Sequence, residues 1–214
     1  MKYSDLSSYH FFQKMIKIKE FKDIDKKDTV FIKKYLNKND ILLDIGCGWG
    51  RELLSLHSCC KKIIGIDYDK IEISVAKDFL KSIKNIQLIL SDARNLKIDT
   101  NSISKAICLF NTLGNNIEHL NIILKEIYRV LNNDGIFMGV FYKKIKNKKR
   151  FNCYLDAGLE PDYIKNDNLY FKDGFYSKGF IKSEIINYFK KANFKTIVIK
   201  NLTDISYFVV AYKK

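Results

Sequence analysis

The chain has 214 residues, of which 47% are hydrophobic and 14% aromatic, and this supplies enough apolar material for the core of one globular domain. Such a composition excludes an intrinsically disordered chain, a collagen and a disulfide-rich miniprotein. Thirty-eight Lys and Arg against 24 Asp and Glu give a formal net charge of +14. A basic surface favours anionic partners, although a chain rich in Lys, Asn and Ile also arises from AT-rich coding with no functional cause.

The cysteines and the apolar runs indicate the compartment. The five cysteines include no Cys-x-x-Cys pair, so neither a disulfide framework nor a zinc site is predicted, and we expect no metal. The first twenty residues lack the uninterrupted apolar stretch of a signal peptide, and no apolar run is long enough to cross a bilayer. We therefore expect a cytoplasmic protein that does not bind membranes.

Strands and helices alternate along most of the chain. Two helices are predicted first, at residues 9–20 and 26–37. Short apolar runs then predict five strands, at 41–45, 62–67, 86–90, 105–110 and 136–142. Helical spacing of apolar residues predicts the helices between them, at 50–58, 69–84 and 117–131. Strands that are nearly continuous in Ile and Leu are typical of a parallel sheet covered on both faces, so we predict a doubly wound α/β fold.

The end of the chain departs from this alternation. A helix at 182–192 precedes two strands, 195–200 and 206–213, which are joined by the polar loop 201–205. A connection of that length cannot contain a crossover. We therefore predict that these two strands are antiparallel.

Chemically informative residues follow the predicted strands, where ligands bind in a doubly wound sheet. The first strand leads into Asp44-Ile45-Gly46-Cys47-Gly48-Trp49-Gly50, whose glycines allow the backbone to approach a ligand closely. The second strand ends at Asp67, where an acidic side chain can accept hydrogen bonds from both hydroxyls of a ribose. A dinucleotide site is disfavoured, because Arg51 stands where its third glycine is required.

An acidic residue followed by Gly-x-Gly-x-Gly resembles the first motif of class I S-adenosylmethionine-dependent methyltransferases. The likeness continues at Asp67, at Ser-Asp-Ala (91–93), at Phe-Asn-Thr-Leu-Gly-Asn (110–115) and at the turn 129–135. It implies a Rossmann-like sheet of seven strands with the last one antiparallel and helices on both faces. The order of elements along the chain predicts one domain over residues 1–214, made of an N-terminal helical cap (1–38), a cofactor-binding core (39–142), an inserted flap (143–181) and a C-terminal helix and strand pair (182–214).

The resemblance further implies S-adenosylmethionine as cofactor and S-adenosylhomocysteine as product. Ten residues are expected to bind it: Asp44, Gly46, Cys47, Gly48, Asp67, Tyr68, Asp92, Ala93, Phe110 and Asn111. Asp44 would lie near the amino group of the methionine part, Asp67 would hold the ribose, and Asp92 would accept a hydrogen bond from the adenine amine. Taken singly, Asp67 and Asp92 are also ordinary cap or turn residues.

The reaction implied is direct transfer of the activated methyl group to an in-line acceptor. A general base is optional. The weak candidates for a base are His10, Tyr142 and Tyr176, together with His119 and Asp156, and each is also explained as a surface or packing residue. No catalytic residue is assigned.

The acceptor is predicted to be a small molecule. The segment after the fourth strand lacks the prolines of enzymes that methylate adenine amines, Cys108 lies inside a predicted strand, and residues 110–115 look like those of small-molecule methyltransferases. The flap is long enough to be functional, and the turn Lys172-Asp173-Gly174 predicts a hairpin. Its rings either form an acceptor wall or pack on one another: Tyr154, Tyr163, Tyr170, Phe175 and Tyr176. The N-terminal aromatic residues 9–12 either cover the cofactor or form the apolar face of a helix.

Two alternatives stay open. Six of the eight residues in 143–150 are basic, so this segment either binds RNA phosphates, as a tRNA or rRNA methyltransferase requires, or forms a solvated loop. The absence of interleaved aromatic residues favours the loop. The third hypothesis is a non-catalytic domain that binds S-adenosylmethionine and serves as an interaction partner.

Overall fold

The structure, a computed structural model, describes residues 8–144, 148–172 and 174–214, apart from the side chains of Ser8 and Phe11. In these ranges the chain forms ten strands: β1 (Ile41–Ile45), β2 (Lys62–Asp67), β3 (Ile86–Leu90), β4 (Ile103–Cys108), β5 (Leu131–Tyr142), β6 (Tyr163–Lys165), β7 (Asn168–Tyr170), β8 (Tyr176–Ser177), β9 (Thr196–Asn201) and β10 (Ser206–Tyr212). The helices are α1 (Ser8–Met15), α2 (Lys19–Lys33), α3 (Arg51–Leu56), α4 (Lys70–Leu80), α5 (Thr112–Asn115), α6 (Leu120–Val130), α7 (Lys149–Asp156) and α8 (Lys182–Lys191).

Seven strands form one sheet in the order β3-β2-β1-β4-β5-β10-β9. Strands β1 to β5 pair in parallel, whereas β10 is antiparallel to both β5 and β9. This confirms the predicted doubly wound, Rossmann-like sheet with an antiparallel last strand. The strand order reverses between β1 and β4, so their carboxyl ends flank the crevice where such sheets bind ligands.

Helices cover both faces of the sheet because successive strand residues point to opposite sides. In β1, Leu42 is buried in one apolar cluster with Phe21 and Ile24 of α2. The next residue, Leu43, is buried in the other cluster with Leu124 and Ile127 of α6. The near-continuous Ile and Leu content of the central strands therefore supplies two cores.

The N-terminal helices differ from the prediction. The break between α1 and α2 falls at residues 16–18, and α2 begins at Lys19 rather than at residue 26. Residues Phe21, Ile24, Asp28 and Ile32 of α2 are buried at helical spacing. This stripe begins at Phe21, five residues before the predicted start of the helix, and it includes a polar residue, Asp28.

Two strands also have different bounds from those predicted. Strand β4 ends at Cys108, two residues early, because Phe110 and Asn111 adopt left-handed backbone conformations with φ of 47° and 62°. Helix α5 then follows, where no helix was predicted. Strand β5 begins at Leu131, which the prediction had placed in the preceding helix, and its pairing with β4 shifts register between Ile103 and Lys105.

The flap contains the predicted hairpin and two further elements. Strands β6, β7 and β8 form a three-stranded antiparallel sheet, and β7 and β8 flank the predicted turn, of which Asp173 lies outside the described residues. Helix α7 precedes this sheet and β6 is its first strand; neither was predicted. Of the segment 143–150, residues 145–147 also lie outside the described residues.

Candidate functional site

A cavity of about 660 Å³ opens at the carboxyl ends of β1, β2, β4 and β5, between α1 and the flap. This volume is typical of ligand sites in proteins. Nine of the ten residues expected to bind a cofactor line it: Asp44, Gly46, Cys47, Gly48, Asp67, Tyr68, Asp92, Ala93 and Phe110. The structure thus brings together residues that are separated by up to 66 positions in the sequence.

The loop after β1 depends on glycine. Gly46 and Gly48 have φ of 74° and 51°, a left-handed conformation that side chains other than glycine rarely adopt. A Cβ at Gly46 would also lie 2.9 Å from Cγ2 of Thr112. The loop therefore presents bare backbone to the cavity, and the Gly-x-Gly motif is explained by this geometry.

Asp67, at the end of β2, fixes the glycine loop. Its Oδ2 accepts a hydrogen bond from the backbone N–H of Gly48 at 2.9 Å, and its Oδ1 accepts one from the N–H of Asp69 at 3.0 Å. Burial raises the pKa of Asp67, and these two hydrogen bonds oppose the rise. A carboxylate has about four lone-pair sites, so Asp67 retains acceptor capacity toward the cavity. Tyr68 beside it is 77% exposed at the rim.

Asp92 lies at the far end of the cavity with a cationic neighbour. Nε and Nη2 of Arg94 donate to Oδ2 of Asp92 at 2.8 and 2.6 Å, and Nη1 of Arg94 lies 3.3 Å from Nε2 of His119. The hydrogen bonds from Arg94 lower the pKa of Asp92. Asp92 is therefore an ionised acceptor at neutral pH.

A group that the sequence analysis missed lies at the opposite end. Four carboxyl groups, which we call the acidic cluster, surround Arg51 of α3: Asp25 and Asp28 of α2, Asp44 of β1, and Glu52 of α3. Arg51 pairs with Asp25, lies 3.1 Å from Oε2 of Glu52 and 4.0 Å from Oδ2 of Asp28. The Thr29 hydroxyl donates to Oε1 of Glu52 at 2.6 Å. The available signal was the pair Arg51-Glu52 directly after the glycine motif.

Burial gives the acidic cluster unusual protonation. Asp28, Asp44 and Glu52 are nearly inaccessible to solvent, and desolvation is the main cause that raises the pKa of each. The pKa of Asp44 rises to about 8, since the charge of Glu52 adds to the effect of burial while Arg51 opposes it. The cluster has more carboxyl groups than cations to neutralise them.

The aromatic residue Phe12 of α1 covers one side of the cavity. The guanidinium carbon of Arg51 lies 4.9 Å from the ring centroid of Phe12 and 5.2 Å from that of Phe110. The rings of Phe12 and Phe110 are themselves in edge contact, with centroids 5.2 Å apart. Phe12 and Met15 line the cavity, so α1 covers the site as one of the two sequence hypotheses proposed.

Asn111 is placed differently from the expectation. It is fully buried and is absent from the described lining of the cavity. Its Oδ1 accepts a hydrogen bond from the backbone N–H of Tyr142 at 2.9 Å, and its Nδ2 donates to the carbonyl of Lys178 at 3.2 Å. Its left-handed backbone turns the side chain away from the cavity and toward β5. Asn111 thus joins the end of β5 to the flap rather than contacting the cofactor space.

Of the candidate bases, Tyr142, Tyr176 and His119 line the cavity, whereas His10 and Asp156 do not. Burial raises the pKa of Tyr142 well above its ordinary value and that of Tyr176 to about 12. Both phenols therefore keep their protons at neutral pH. The Tyr142 hydroxyl is fully buried and makes no hydrogen bond of standard geometry with the described part of the chain.

The flap contributes a wall of rings. Tyr154, Phe175 and Tyr176 line the cavity. Tyr163 and Tyr170 instead stack on each other, with centroids 4.5 Å apart and ring planes 9° apart, outside the described lining. Both sequence hypotheses for the flap aromatics are thus partly met: three rings face the cavity and two pack together.

Arg150 holds the flap against the core. It is 1% exposed and donates hydrogen bonds to the carbonyls of Lys143 at 3.3 Å, Ser177 at 3.4 Å and Asp167. Burial lowers its pKa. These bonds connect the end of β5, the start of α7 and strand β8.

The described ranges contain neither a metal-binding cluster nor a membrane-spanning helix. No group of three or more His, Cys, Asp or Glu side chains suited to a metal ion is present among these residues. In the same ranges, every helix is too short or too polar to span a bilayer.

Comparison with known proteins adds to this geometry. Residues 42–135 match the family described as methyltransferase domain. An uncharacterised protein of Methanocaldococcus jannaschii is 28% identical over 207 residues, covering 87% of this chain and 72% of that protein. A probable ribosomal RNA small subunit methyltransferase A of Methanococcus aeolicus is 34% identical over 86 residues, covering 38% of this chain and 32% of that protein.

A solved structure shares the fold. The 1,6-didemethyltoxoflavin-N1-methyltransferase of Burkholderia thailandensis, with bound 1,6-didemethyltoxoflavin and S-adenosylhomocysteine, matches with a TM-score of 0.72 and 13% identity. The match covers 98% of this chain and 86% of that chain. The flap and the N-terminal helices thus belong to a fold shared over nearly the whole chain.

Proposed function

We propose that this chain, whose residues 42–135 match the methyltransferase domain family, is a class I S-adenosylmethionine-dependent methyltransferase that methylates a nitrogen or oxygen atom of a small-molecule acceptor by direct in-line displacement. The observation that carries this proposal is the enclosure of the cavity. Helix α1 covers it from one side, and three flap rings, Tyr154, Phe175 and Tyr176, close it from another. An enclosed aromatic pocket suits a small acceptor.

The lining residues divide between the two ends of the donor. In this proposal Asp92 and Ala93 hold the adenine, Asp67 accepts hydrogen bonds from the ribose, and the loop containing Gly46 and Gly48 lies against the methionine part. Asp67 supports this assignment because it is fixed by two backbone donors. S-adenosylmethionine supplies a methyl group already activated by its sulfonium.

The protein contributes to the reaction by positioning the acceptor against the donor. Transfer requires the acceptor lone pair in line with the methyl–sulfur bond, at about 3–3.5 Å from the methyl carbon. The flap wall and Tyr142, at the end of β5, would orient the acceptor there and exclude water. Because Tyr142 and Tyr176 keep their protons, they would act as hydrogen-bond partners rather than as bases.

Methylation of RNA is the second candidate function, favoured by the net charge of +14. Three of the five described basic residues of 143–150 weaken it, whereas Lys144 and Lys148 are exposed. Arg150 is buried, Nζ of Lys143 donates to the carbonyl of Thr203 at 2.6 Å, and Lys149 pairs with Glu20 and Asp204. These three cations are engaged within the protein and are poorly placed to bind phosphates.

The test is a labelled transfer. Purified protein is incubated with S-adenosylmethionine carrying a labelled methyl group and with cell extract separated into metabolite, RNA and protein fractions. We expect label in the metabolite fraction, and its loss with Asp67→Ala but not with Asp78→Ala, an exposed carboxylate of α4. Label in RNA would establish the second candidate. Tight donor binding with no labelled fraction would favour a non-catalytic binding domain.

A further inference from the structure

We propose that the acceptor is an aliphatic amine that enters the cavity as an ammonium ion and is held between the flap rings and the acidic cluster. This inference rests on the proposed function and names the substrate class at its acceptor end. Three observations carry it: the charge at that end, a buried phenol, and the aromatic wall.

The first observation is an excess of carboxyl groups over cations. The acidic cluster sets four carboxyl groups against Arg51, whose guanidinium is shared among Asp25, Asp28 and Glu52. When all four carboxyls are ionised, the formal charge is −3, opposite in sign to the +14 of the whole chain. Buried carboxylates without a partner are costly, so in the free protein these carboxyls tend to hold protons, and a bound cation would favour their ionised forms. The ammonium group of the donor would pair with Asp44 and would leave Asp28 and Glu52 without a cation from the donor.

The second observation is the Tyr142 hydroxyl, an independent sign of a missing ligand. Tyr142 lines the cavity and is fully buried, yet its oxygen has no hydrogen bond of standard geometry among the described residues. Its neighbour Tyr154 instead donates to Oγ of Ser177 at 3.1 Å. Burial is the main cause that raises the pKa of Tyr142, and the charge of Asp28 adds a small contribution, so the phenol lies within electrostatic range of the acidic cluster. The Tyr154 hydroxyl interacts with this oxygen without the geometry of a standard hydrogen bond, and an ammonium N–H would give it a well-aligned donor.

The third observation is the aromatic wall. Phe12, Tyr142, Tyr154, Phe175 and Tyr176 all line the cavity, and ring faces attract ammonium ions. An anionic acceptor finds no comparable partner. Among the lining residues in the described ranges, the guanidinium groups are those of Arg51 and Arg94, and both already pair with carboxylates.

The chemistry of the step balances with these residues. The ammonium first gives one proton to a carboxylate, which frees the nitrogen lone pair. That pair forms the bond to the methyl carbon while the carbon–sulfur bond breaks, and its electrons pass to sulfur to give the thioether. Asp44 and Glu52 are the cluster carboxylates that line the cavity. Because Asp44 is assigned to the donor, we assign the proton to Glu52, from which it passes to solvent.

The test compares butylamine, butanol and butanoate, which differ in the group presented to the cavity. Each is titrated by calorimetry into the complex of the protein with S-adenosylhomocysteine at pH 7.5. We expect butylamine to bind at least about tenfold more tightly than the other two, the effect of one charge-assisted hydrogen bond. Equal or tighter binding of butanol or butanoate, or no binding of butylamine, would overturn the inference.

Two variants test whether the preference for butylamine arises at the acidic cluster and Tyr142. Glu52→Gln and Tyr142→Phe should each weaken butylamine binding about fivefold or more and leave butanol binding and S-adenosylhomocysteine binding within twofold, whereas Asp78→Asn should change none of them. Tyr142→Phe keeps the buried ring and guards against a folding defect in the charge variant. Parallel loss of butylamine and S-adenosylhomocysteine binding would show that the acidic cluster serves the donor, and the inference would be wrong. If the wild-type protein failed to bind S-adenosylhomocysteine, the proposed function itself would fail.

Discussion

At the scale of single residues, two carboxylates at neighbouring strand ends have different environments. Asp67 at the end of β2 receives hydrogen bonds from the Gly48 and Asp69 backbones. Asp44 in β1 is buried beside Glu52 and Arg51, and its pKa rises to about 8. The first is a positioned acceptor and the second is a group whose charge depends on pH and on its ligand.

Asp67→Asn should weaken S-adenosylhomocysteine binding about tenfold to a hundredfold, because the amide loses a charge-assisted hydrogen bond. It also replaces one acceptor of the glycine loop with a donor. Calorimetry measures the change, with Asp78→Asn as the matched exposed substitution. Unchanged affinity in Asp67→Asn would show that the ribose lies elsewhere.

The raised pKa of Asp44 predicts a pH dependence of the cofactor-free protein. An ordinary Asp has a pKa near 3.9, so in the unfolded chain Asp44 ionises at low pH, whereas in the folded chain it holds its proton to about pH 8. Its contribution to the free energy of unfolding is therefore present below pH 4 and is lost as pH rises toward 8.

Asp44→Asn should remove this contribution. From pH 5 to pH 9, the free energy of unfolding should therefore fall by about 2–5 kcal/mol less in the variant than in the wild type. Urea denaturation at pH 5, 7 and 9 measures it. The same variant should bind S-adenosylhomocysteine more weakly, since the neutral amide attracts an ammonium group less. Parallel pH profiles of the two proteins would contradict the assignment of Asp44 as the titrating group.

At the scale of elements, two buried polar side chains hold the flap over the cavity. Arg150 at the start of α7 donates to three carbonyls. Asn111, after β4, connects the Tyr142 backbone to the carbonyl of Lys178. Both act at joints between the core and the flap, so the position of the aromatic wall depends on them.

Arg150→Met should loosen the flap and spare the core, because three carbonyls lose their donor and the bond to Ser177 among them is buried, where an unsatisfied carbonyl costs about 1–3 kcal/mol. Amide hydrogen exchange in residues 163–177 should accelerate about tenfold or more while exchange in β1 and β4 stays unchanged. Lys172→Met, an exposed change in the same flap, is the control. Equal acceleration throughout the sheet would show that Arg150 stabilises the whole domain.

The differences between predicted and observed elements have local causes. The prediction ended β4 at Phe110 because the apolar run continues to that residue, but consecutive left-handed residues end the strand at Cys108. It began the second helix at residue 26, whereas the face that α2 presents to the core starts at Phe21 and includes a buried Asp28. Periodicity reports apolar faces, and it does not register a buried charge or a turn made by non-glycine residues.

At the scale of the whole molecule, the sheet and the donor end of the site followed from the sequence. Gly46, Gly48, Asp67 and Asp92 each stand next to a predicted strand end, so their convergence follows from parallel pairing. The acidic cluster could not be predicted from the sequence, because Asp25 and Asp28 lie on a helix whose approach to Arg51 depends on tertiary packing. The flap sheet was predicted as one hairpin because the turn between β6 and β7 contains no glycine, although Asn166 and Asp167 adopt left-handed conformations with φ of 52° and 63°.

The charge of the molecule is unevenly distributed in a way that bears on function. The chain carries +14 overall, yet the carboxyl groups that line the cavity outnumber the guanidinium groups: Asp44, Glu52, Asp67, Asp69, Glu72 and Asp92 against Arg51 and Arg94. S-adenosylmethionine carries a sulfonium and an ammonium group, so the lining is complementary to the donor while the outer surface is not.

The most direct measurement is a crystal structure of the protein with S-adenosylhomocysteine. The central claim is that one cavity holds the donor with its sulfur facing the flap. We predict the adenine beside Asp92 and Ala93, the ribose hydroxyls on Asp67, and the sulfur directed toward Tyr142 and Tyr176. A ligand bound outside the cavity, or one whose sulfur points away from the flap rings, would contradict it.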